Sequence, residues 1–191
     1  MSTVVVVEGE SDKIAIEALA ERRGIELADA GVRIVPLGGA HRIRAFLGEL
    51  DLRSGLRVAG LCDAREEPVF RNAFERPGLG RELLGFYVCV EDLEDELIRA
   101  LGVPAVEEVV AAAGDLQRLR KLQQMPAWRD RAADEQIRRF IAAGARRKLR
   151  YARLLVDALD LERVPRPLDG VLRRAVEPGD GSRLTARGGP A

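Results

Sequence analysis

The stretch VVVVEGESDK, from Val4 to Lys13, joins an apolar run directly to a group of acids. Four consecutive valines are typical of a strand that is buried on both faces of a parallel sheet, because a strand with one wet face alternates apolar and polar residues. The run ends at Glu8 and Gly9, and residues 12–23 then show the apolar spacing of an amphipathic helix. The sequence therefore predicts a strand, a sharp turn and a helix, with carboxylates at the turn and Ser11 as the helix N-cap.

Strands and helices alternate through the first half of the chain. Short apolar runs predict three further strands, at 32–37, 56–62 and 85–90. Helical spacing between these runs predicts helices at 40–50 and 66–76. Strand–helix–strand units of this length have right-handed crossovers and build parallel sheets. We therefore expect residues 1–101 to form an α/β domain with a small, mainly parallel four-stranded sheet flanked by helices.

The second half of the chain shows helical periodicity only. It predicts helices at 92–101, 104–113, 116–123, 132–143 and 145–159. We expect residues 102–162 to form a helical extension that packs on the α/β domain. Residues 163–191 are rich in Pro, Gly, Arg and Asp, which predicts a largely disordered tail.

The charges of the chain are unevenly distributed, although its formal net charge is zero. Residues 1–114 carry 13 Lys and Arg against 21 Asp and Glu, whereas residues 115–153 carry 12 against 4. A basic segment of this kind can contact the phosphates of a nucleic acid. For the charges alone we favour the simpler explanation, which is that the helices have solvated faces or that the acidic and basic segments neutralise each other.

The two cysteines and the single histidine limit the kind of metal site and the compartment. Cys62 and Cys89 lie in apolar, strand-like runs and are expected to be reduced core residues of a cytoplasmic protein. One His and two Cys cannot form a four-ligand zinc site, so a metal here would need oxygen ligands. No apolar run is long enough to cross a membrane, and the N-terminus lacks the features of a secretory signal, so we expect no membrane partner.

Acidic residues follow three of the four predicted strands. They are Glu8, Glu10 and Asp12 after the first strand, Asp63, Glu66 and Glu67 after the third, and Glu91, Asp92, Glu94, Asp95 and Glu96 after the fourth. In an open parallel sheet ligands bind outside the carboxyl ends of the strands, so these acids are expected at one edge. Each acid alone could complement a helix dipole or occupy a turn, and for Glu10 we favour helix capping. Together they repel one another, and a divalent cation with oxygen ligands would offset that repulsion.

Four motifs give the chain a resemblance to a known domain. VEGESD, VPLGGAHRIRAF, GLCDARE and DLEDELIRALG are together similar to the Toprim domain of type IA topoisomerases, bacterial primases and overcoming-lysogenization-defect (OLD) nucleases, and most of all to the OLD branch. The resemblance covers about residues 3–101 and, more loosely, the helices to about 160. It implies an enzyme that uses Mg²⁺ or Mn²⁺ and acts on nucleic acid, as a phosphodiester hydrolase such as an endonuclease or by a nucleotidyl-transfer reaction.

The resemblance also implies roles for individual acids. Glu8 matches an acid that serves as metal ligand or general base, Asp12 matches the second acid of that motif, and Asp63 matches the central metal ligand. Glu94 matches the acid after the fourth strand, with Glu96 as the alternative.

The sequence departs from the family pattern at the second Asp of the Asp-x-Asp motif, where it has Arg65. An arginine cannot bind a metal, so Glu66 or Glu67 would have to supply the missing carboxylate, and Glu67 is the candidate ligand. The departure fits one tightly bound metal, a repurposed site or a lost activity. The alternative function is therefore a catalytically degraded Toprim module that binds nucleic acid or a protein partner.

Lys148 falls at an unusual place on a predicted helix. On a helical wheel of residues 146–160 it lies in the middle of the apolar face. Its ammonium must then reach either water or a partner such as the acid cluster or a phosphate. OLD nucleases have a functional lysine on a late helix, so the resemblance makes Lys148 the candidate catalytic residue that stabilises charge on the scissile phosphate.

Five basic residues are candidate contacts to nucleic acid. They are His41 and Arg42, which follow the Gly-Gly turn, and Arg146, Arg147 and Arg150 in the basic segment. The Gly-Gly turn is explained equally well as a tight strand-to-helix connection. OLD proteins usually carry an ATPase part, and this sequence has no Walker A motif. The expected partners are therefore nucleic acid and a separate ATPase protein, with a homodimer left open.

Overall fold

Four parallel strands form the sheet of this computed structural model, which describes residues 2–50, 55–75 and 83–177. The strands are β1 (Thr3–Val7), β2 (Val32–Pro36), β3 (Arg57–Asp63) and β4 (Leu83–Cys89). Their order in the sheet is β2-β1-β3-β4, and each of the three neighbouring pairs is parallel. The predicted α/β fold with a parallel four-stranded sheet is confirmed.

The valines of β1 are buried because this strand lies inside the sheet and is covered on both faces. Val4 and Val6 belong to the apolar cluster on one face, and Val5 and Val7 belong to the cluster on the other. Successive side chains of a strand point to opposite faces, so a strand covered on both sides needs apolar residues at every position.

The order in which strands are added to the sheet reverses after β2. Strand β2 lies on one side of β1, whereas β3 and then β4 lie on the other side of β1. Val7 pairs with Leu61, so Glu8 and Asp63 leave the sheet at the same edge. This edge is the topological switch point, where open α/β sheets bind their ligands.

Nine α-helices surround the sheet within the described residues. They are α1 (Glu10–Arg22), α2 (Ile43–Glu49), α3 (Glu67–Phe74), α4 (Leu93–Leu101), α5 (Val103–Ala112), α6 (Leu116–Gln123), α7 (Ala133–Ala142), α8 (Ala145–Ala158) and α9 (Arg166–Val176). Helices α2 and α3 cover one face with residues such as Ile43 and Phe70, and α1, α4, α8 and α9 contribute to the core on the other. The N-cap of α1 is Gly9, so the prediction of Ser11 is wrong, and Ser11 is instead buried in the first turn.

Helix α8 is fixed to α1 by contacts near its C-terminal end. The guanidinium of Arg22 donates hydrogen bonds to the carbonyls of Val156 and Leu159 at 2.8 and 2.6 Å. The last carbonyls of a helix are short of backbone partners, and Arg22 adds donors for two of them. Arg153 of α8 also forms an ion pair with Glu21 of α1 at 2.7 Å. The orientation of α8 is therefore defined by a buried apolar contact and by these polar contacts.

Helix α9 corrects the predicted tail. The tail was expected from residue 163, but Arg166–Val176 form a helix whose apolar side is buried. A Cβ on Gly170 would lie 2.3 Å from the ring of Tyr87, so only glycine allows α9 to approach β4 this closely. The prolines that suggested a tail stand at the N-cap and in the first turn, where proline is compatible with a helix. The prediction for 178–191 lies outside the described residues.

The cysteines are core residues, as the sequence analysis expected. Cys62 and Cys89 are free and buried, and they belong to apolar clusters on opposite faces of the sheet. Burial raises the pKa of the Cys62 thiol to about 12 and also raises that of Cys89, so both stay protonated and unreactive. Among the described helices, none combines the length and the hydropathy needed to span a membrane.

Candidate active site

Two acids are brought to the end of β1 by the turn that follows it. Gly9 has an extended backbone and caps α1, and its N–H donates a hydrogen bond to Asp12 Oδ2 at 2.9 Å. This contact is the reciprocal half of a capping box, and it folds the Asp12 side chain back toward the strand end. Glu8 at the strand end and Asp12 one turn later therefore lie on the same side of the sheet edge.

A pocket of about 270 Å³ opens at this edge of the sheet. It is lined by Glu8, Gly9, Ser11, Asp12, Gly38, Gly39, Asp63, Glu94 and Lys148. We call it the acid pocket, because four carboxyl groups and a single ammonium group face it. The four acids come from the ends of β1 and β3 and the first turns of α1 and α4.

Burial and like charge raise the pKa values of two acids in the acid pocket. Burial raises the pKa of Asp12 to about 7, and the nearby charges of Glu94 and Glu8 add to the effect, although the Gly9 hydrogen bond and Lys148 oppose it. Burial also raises the pKa of Asp63 to about 7, together with the charges of Asp12 and Glu8. A cation would relieve both causes, because it would stabilise the charged forms.

Glu94 and Lys148 form the one ion pair that crosses the acid pocket among the described residues. The Lys148 ammonium lies 3.3 Å from Glu94 Oε1, and the Glu94 side chain is buried. Burial opposes the charge of Lys148, but Glu94 and Asp12 outweigh it and raise its pKa. For Glu94 burial dominates and raises the pKa in spite of Lys148. The sequence predicted that Lys148 reaches water, the acid cluster or a phosphate, and the structure shows it paired with the acid cluster.

Helix α4 determines that Glu94 rather than Glu96 reaches the pocket. Asp92 caps this helix and accepts a hydrogen bond from the Asp95 N–H at 2.8 Å. Glu96 points elsewhere and accepts a hydrogen bond from the Val90 N–H at 2.9 Å. Sequence reasoning missed the partner of the cap, Arg138 of α7, whose Nε and Nη2 donate to Asp92 Oδ2 at 2.9 and 2.7 Å. No spacing in the sequence indicates this contact, because the two residues lie on helices far apart in the chain.

The two carboxylates proposed to replace the missing Asp do not line the pocket. Glu67 forms a hydrogen-bonded ion pair with Arg71, one turn later in α3. Glu66 is the N-cap of α3 and lies outside the lining as well. Arg65 is also outside the pocket, since its side chain is 83% exposed and its guanidinium lies 3.8 Å from Glu91. The structure thus brings together Glu8, Asp12, Asp63 and Glu94, but not Glu67.

The four acids of the acid pocket have the type of donor atom that a divalent cation prefers, but they are not already arranged around an ion position. Within the described ranges no group of three or more His, Cys, Asp or Glu side chains is arranged to hold a metal ion. The donor set is nevertheless made of carboxylate oxygens, which Mg²⁺ and Mn²⁺ prefer. The raised pKa values of Asp12 and Asp63 mark a site where positive charge is lacking. Binding would require the carboxylates to move closer together.

The Gly-Gly turn is a tight connection and not a phosphate cradle. The N–H groups of Gly38 and Gly39 donate to the Glu8 carbonyl at 2.9 and 3.2 Å, so they are not available to a ligand. Both glycines have positive φ values, 70° and 126°, which other residues rarely adopt. His41 and Arg42 follow in a short 3₁₀ helix and are exposed, near the acid pocket but not part of its lining.

The predicted nucleic-acid contacts in α8 divide into free and committed arginines. Arg146 is exposed and has no ion-pair partner among the described residues. Arg147 donates to the Phe140 carbonyl at 2.9 Å, and Arg150 donates to the Ala113 carbonyl at 2.8 Å. Arg150 therefore ties α8 to Ala113 at the end of α5.

Comparison with known proteins assigns the fold and the domain. The family model described as "Overcoming lysogenization defect protein-like, TOPRIM domain" matches residues 1–64. A search of curated proteins found no match.

Solved structures of OLD proteins resemble the chain over most of its length. The C-terminal region of the Burkholderia pseudomallei OLD protein matches with a TM-score of 0.65 and 16% identity, over 91% of this chain and 96% of that one. The C-terminal region of the Xanthomonas campestris pv. campestris OLD protein, phased with mercury, matches with a TM-score of 0.63 and 18% identity, over 91% and 94%. Residues 1–64 therefore match an OLD-like Toprim domain, in a chain that has the fold of the C-terminal regions of OLD proteins.

Proposed function

We propose that this protein is a metal-dependent phosphodiester hydrolase that acts on nucleic acid, with Mg²⁺ or Mn²⁺ as its ion. The observation that carries the proposal is the acid pocket, in which four carboxyl groups and the Lys148 ammonium meet at the switch point of an OLD-like Toprim domain. Carboxylates from several elements at the binding edge of a parallel sheet are the arrangement that holds a cation next to a phosphate.

The four acids would hold the ion, which when bound supplies Lewis acidity and lowers the pKa of a coordinated water. Burial raises the pKa values of Asp12 and Asp63 to about 7 without an ion, and a bound ion would favour their ionised, ligating forms. Glu8 is the candidate that the family resemblance suggests for accepting a proton from the attacking water. The water oxygen forms a bond to phosphorus, the bond from phosphorus to the leaving oxygen breaks, and that oxygen takes up a proton from solvent.

Lys148 would stabilise the negative charge that develops on the phosphate. Its side chain is 43% exposed, so the ammonium can turn from Glu94 toward a group in the pocket. A charged donor fixed near the reacting phosphate contributes more to the transition state than to ground-state binding. Attack by a nucleic-acid hydroxyl in place of water would give the related nucleotidyl-transfer reaction with the same residues.

A second candidate function is a Toprim module that binds nucleic acid or a protein without cleaving it. Arg65 at the usual second Asp position and the lack of a ready-made metal geometry in the described residues favour this alternative. The two functions differ in cleavage and agree in binding.

Nicking of a supercoiled plasmid by the purified protein separates the two functions. We expect nicking with Mg²⁺ or Mn²⁺ and none with EDTA, and we expect Asp63→Ala to abolish it. Asp134→Ala is the matched control, because Asp134 is an exposed acid in α7, away from the pocket. Binding of the same plasmid without nicking under all metal conditions would exclude the hydrolase and leave the binding module.

The proposal extends to location and partners. Two buried free cysteines fit a reducing compartment, so we place the protein in the cytoplasm. A separate ATPase protein and a second copy of the chain are further proposed partners, and co-purification of the tagged protein followed by light scattering tests both.

A further inference from the structure

A second pocket, of about 500 Å³, lies at the N-terminal end of α8. Its lining consists of Asp115, Arg118, Ala143, Gly144, Ala145, Arg146, Arg147 and Arg150. We call it the arginine pocket, since four guanidinium groups and one carboxyl group face it. We propose that it binds a backbone phosphate of the nucleic-acid strand whose scissile phosphate occupies the acid pocket, an inference that rests on the proposed function.

Three of the four arginines are held in place by bonds that use only part of their donors. Arg118 donates to Asp115 Oδ1 at 2.7 Å, and Arg150 donates to Asp115 Oδ2 at 3.2 Å and to the Ala113 carbonyl. The Arg147 guanidinium is 4.3 Å from the centre of the Phe140 ring and also bonds the Phe140 carbonyl. A guanidinium has five N–H donors, so each keeps donors for a further oxyanion. Fixed guanidinium groups lose little entropy on binding, which favours phosphate recognition.

Asp115 orders the pocket without neutralising it. This residue is 4% exposed, and Tyr151 also donates to its Oδ2, at 3.2 Å. Both carboxylate oxygens are therefore engaged from inside the protein. One carboxylate stands against four guanidinium groups, so an anion that enters meets an excess of positive charge.

The first turn of α8 connects the two pockets. Arg146 and Arg147 line the arginine pocket, and Lys148, the next residue, lines the acid pocket. The two pockets therefore share one helix end, which with its side chains is about 10–12 Å across. A strand that crosses the end of α8 would place different phosphates of one backbone in the two pockets. This continuity favours a polyanionic strand over an isolated phosphorylated group.

The test is binding of a short fluorescein-labelled duplex by fluorescence anisotropy, in EDTA so that no cleavage occurs. Arg146→Gln and Arg118→Gln should each weaken binding about tenfold at low salt, since each removes a charge-assisted hydrogen bond. Each should also reduce the slope of log affinity against log salt by about one. Arg173→Gln is the matched control, because Arg173 is 72% exposed and pairs with a local Asp, as Arg118 does at 70% exposure. The control should bind like wild type.

Arg146→Gln is the decisive variant, since Arg146 forms no ion pair among the described residues and its replacement should not affect folding. Wild-type affinity and slope in both arginine variants would overturn the proposal. An equal loss of affinity in Arg173→Gln would also overturn it, because binding would then depend on the total positive charge of the protein and not on the arginine pocket.

Plasmid nicking, measured in parallel, distinguishes this inference from the proposed function. Nicking that persists while both arginine variants bind normally refutes the arginine pocket and leaves the hydrolase. Weakened binding in the arginine variants of a protein that does not nick refutes the hydrolase and supports the phosphate site.

Discussion

The acid pocket and the arginine pocket meet at the first turn of α8, yet their charged side chains are arranged in opposite ways. In the arginine pocket the charged groups bond to one another, and Asp115 alone accepts from Arg118, Arg150 and Tyr151. In the acid pocket one ammonium faces four carboxyl groups, and two of them have pKa values raised to about 7. The contrast indicates that the arginine pocket is ordered by its own contacts, whereas burial and like charge raise the pKa values of carboxyl groups in the acid pocket.

The largest expected effect is on turnover. Lys148→Met should lower the single-turnover cleavage rate by about 100- to 1,000-fold, because it removes a preorganised charge that acts on the transition state. Binding of the duplex in EDTA should change little. Lys121→Met, an exposed lysine of α6, is the control and should cleave normally. Normal cleavage by Lys148→Met would show that the lysine only balances Glu94.

The next effect is on stability and depends on pH. The folded pKa of Asp63 is about 7 and its ordinary value is 3.8, so between these values the native protein binds more protons than the unfolded chain. Its free energy of unfolding therefore falls as the pH rises through this window. Asp63→Asn removes the buried charge and should raise the free energy of unfolding by about 2–4 kcal/mol at pH 8, with a smaller gain at pH 5.

Urea unfolding at the two pH values measures this effect, with Asp134→Asn as the exposed control. Saturating Mg²⁺ should stabilise the wild-type protein at pH 8 and have less effect on Asp63→Asn, since a ligand that binds only the folded state adds to stability. An equal gain in the free energy of unfolding of Asp63→Asn at pH 5 and pH 8 would contradict a raised pKa of Asp63.

A smaller effect is expected on the arginine side. Arg150→Ala should lower the free energy of unfolding by about 1–2 kcal/mol, because it leaves the Ala113 carbonyl and Asp115 with fewer partners. Arg146→Ala is the comparison, since it makes no such contact, and should be within about 0.5 kcal/mol of wild type. Urea unfolding at pH 7 tests both. Equal stability of the two variants would show that the bonds of Arg150 do not anchor α8.

The smallest effect concerns Arg65. Arg65→Asp should strengthen Mg²⁺ binding by at most about fivefold, because it replaces a repelling charge by a carboxylate. The expected size is that of an exposed charge pair, about 0.2–1 kcal/mol, since the Arg65 side chain is 83% exposed and lies outside the pocket. Isothermal titration calorimetry against Arg44→Asp, an exposed arginine of α2, measures the difference. Unchanged or weaker Mg²⁺ affinity in Arg65→Asp would mean that the charge at position 65 does not affect binding of the ion.

The parts of the site that the sequence predicted are those fixed by local rules. Glu8 and Asp63 end strands, and the binding edge of a parallel sheet follows from strand direction alone. Lys148 was found because a charge on the apolar face of a helix needs a partner. Glu67 was misplaced because its nearest partner, Arg71, is one helical turn away and captures the carboxylate.

The parts that the sequence did not predict depend on contacts between distant segments. Arg150 bonds a carbonyl of another helix and Arg138 holds the cap of α4, and neither contact has a local signature. Helix α9 had such a signature, since Leu168, Val171, Leu172 and Ala175 recur at helical spacing, but the prolines at its start were taken for a tail.

The attachment of α8 to α1 has a mechanical consequence. Arg22 holds the helix at its C-terminal end, and Lys148 stands ten residues before Ala158, about 15 Å from that pivot at about 1.5 Å per residue. A tilt of α8 by about 5° about this end would displace the ammonium by about 1.3 Å. A misplacement of about 1 Å can lower the rate of an enzyme by about 100-fold. The alignment of the reacting groups would therefore depend on Arg22, at the far end of α8, as well as on Arg147 and Arg150, which hold its first turns.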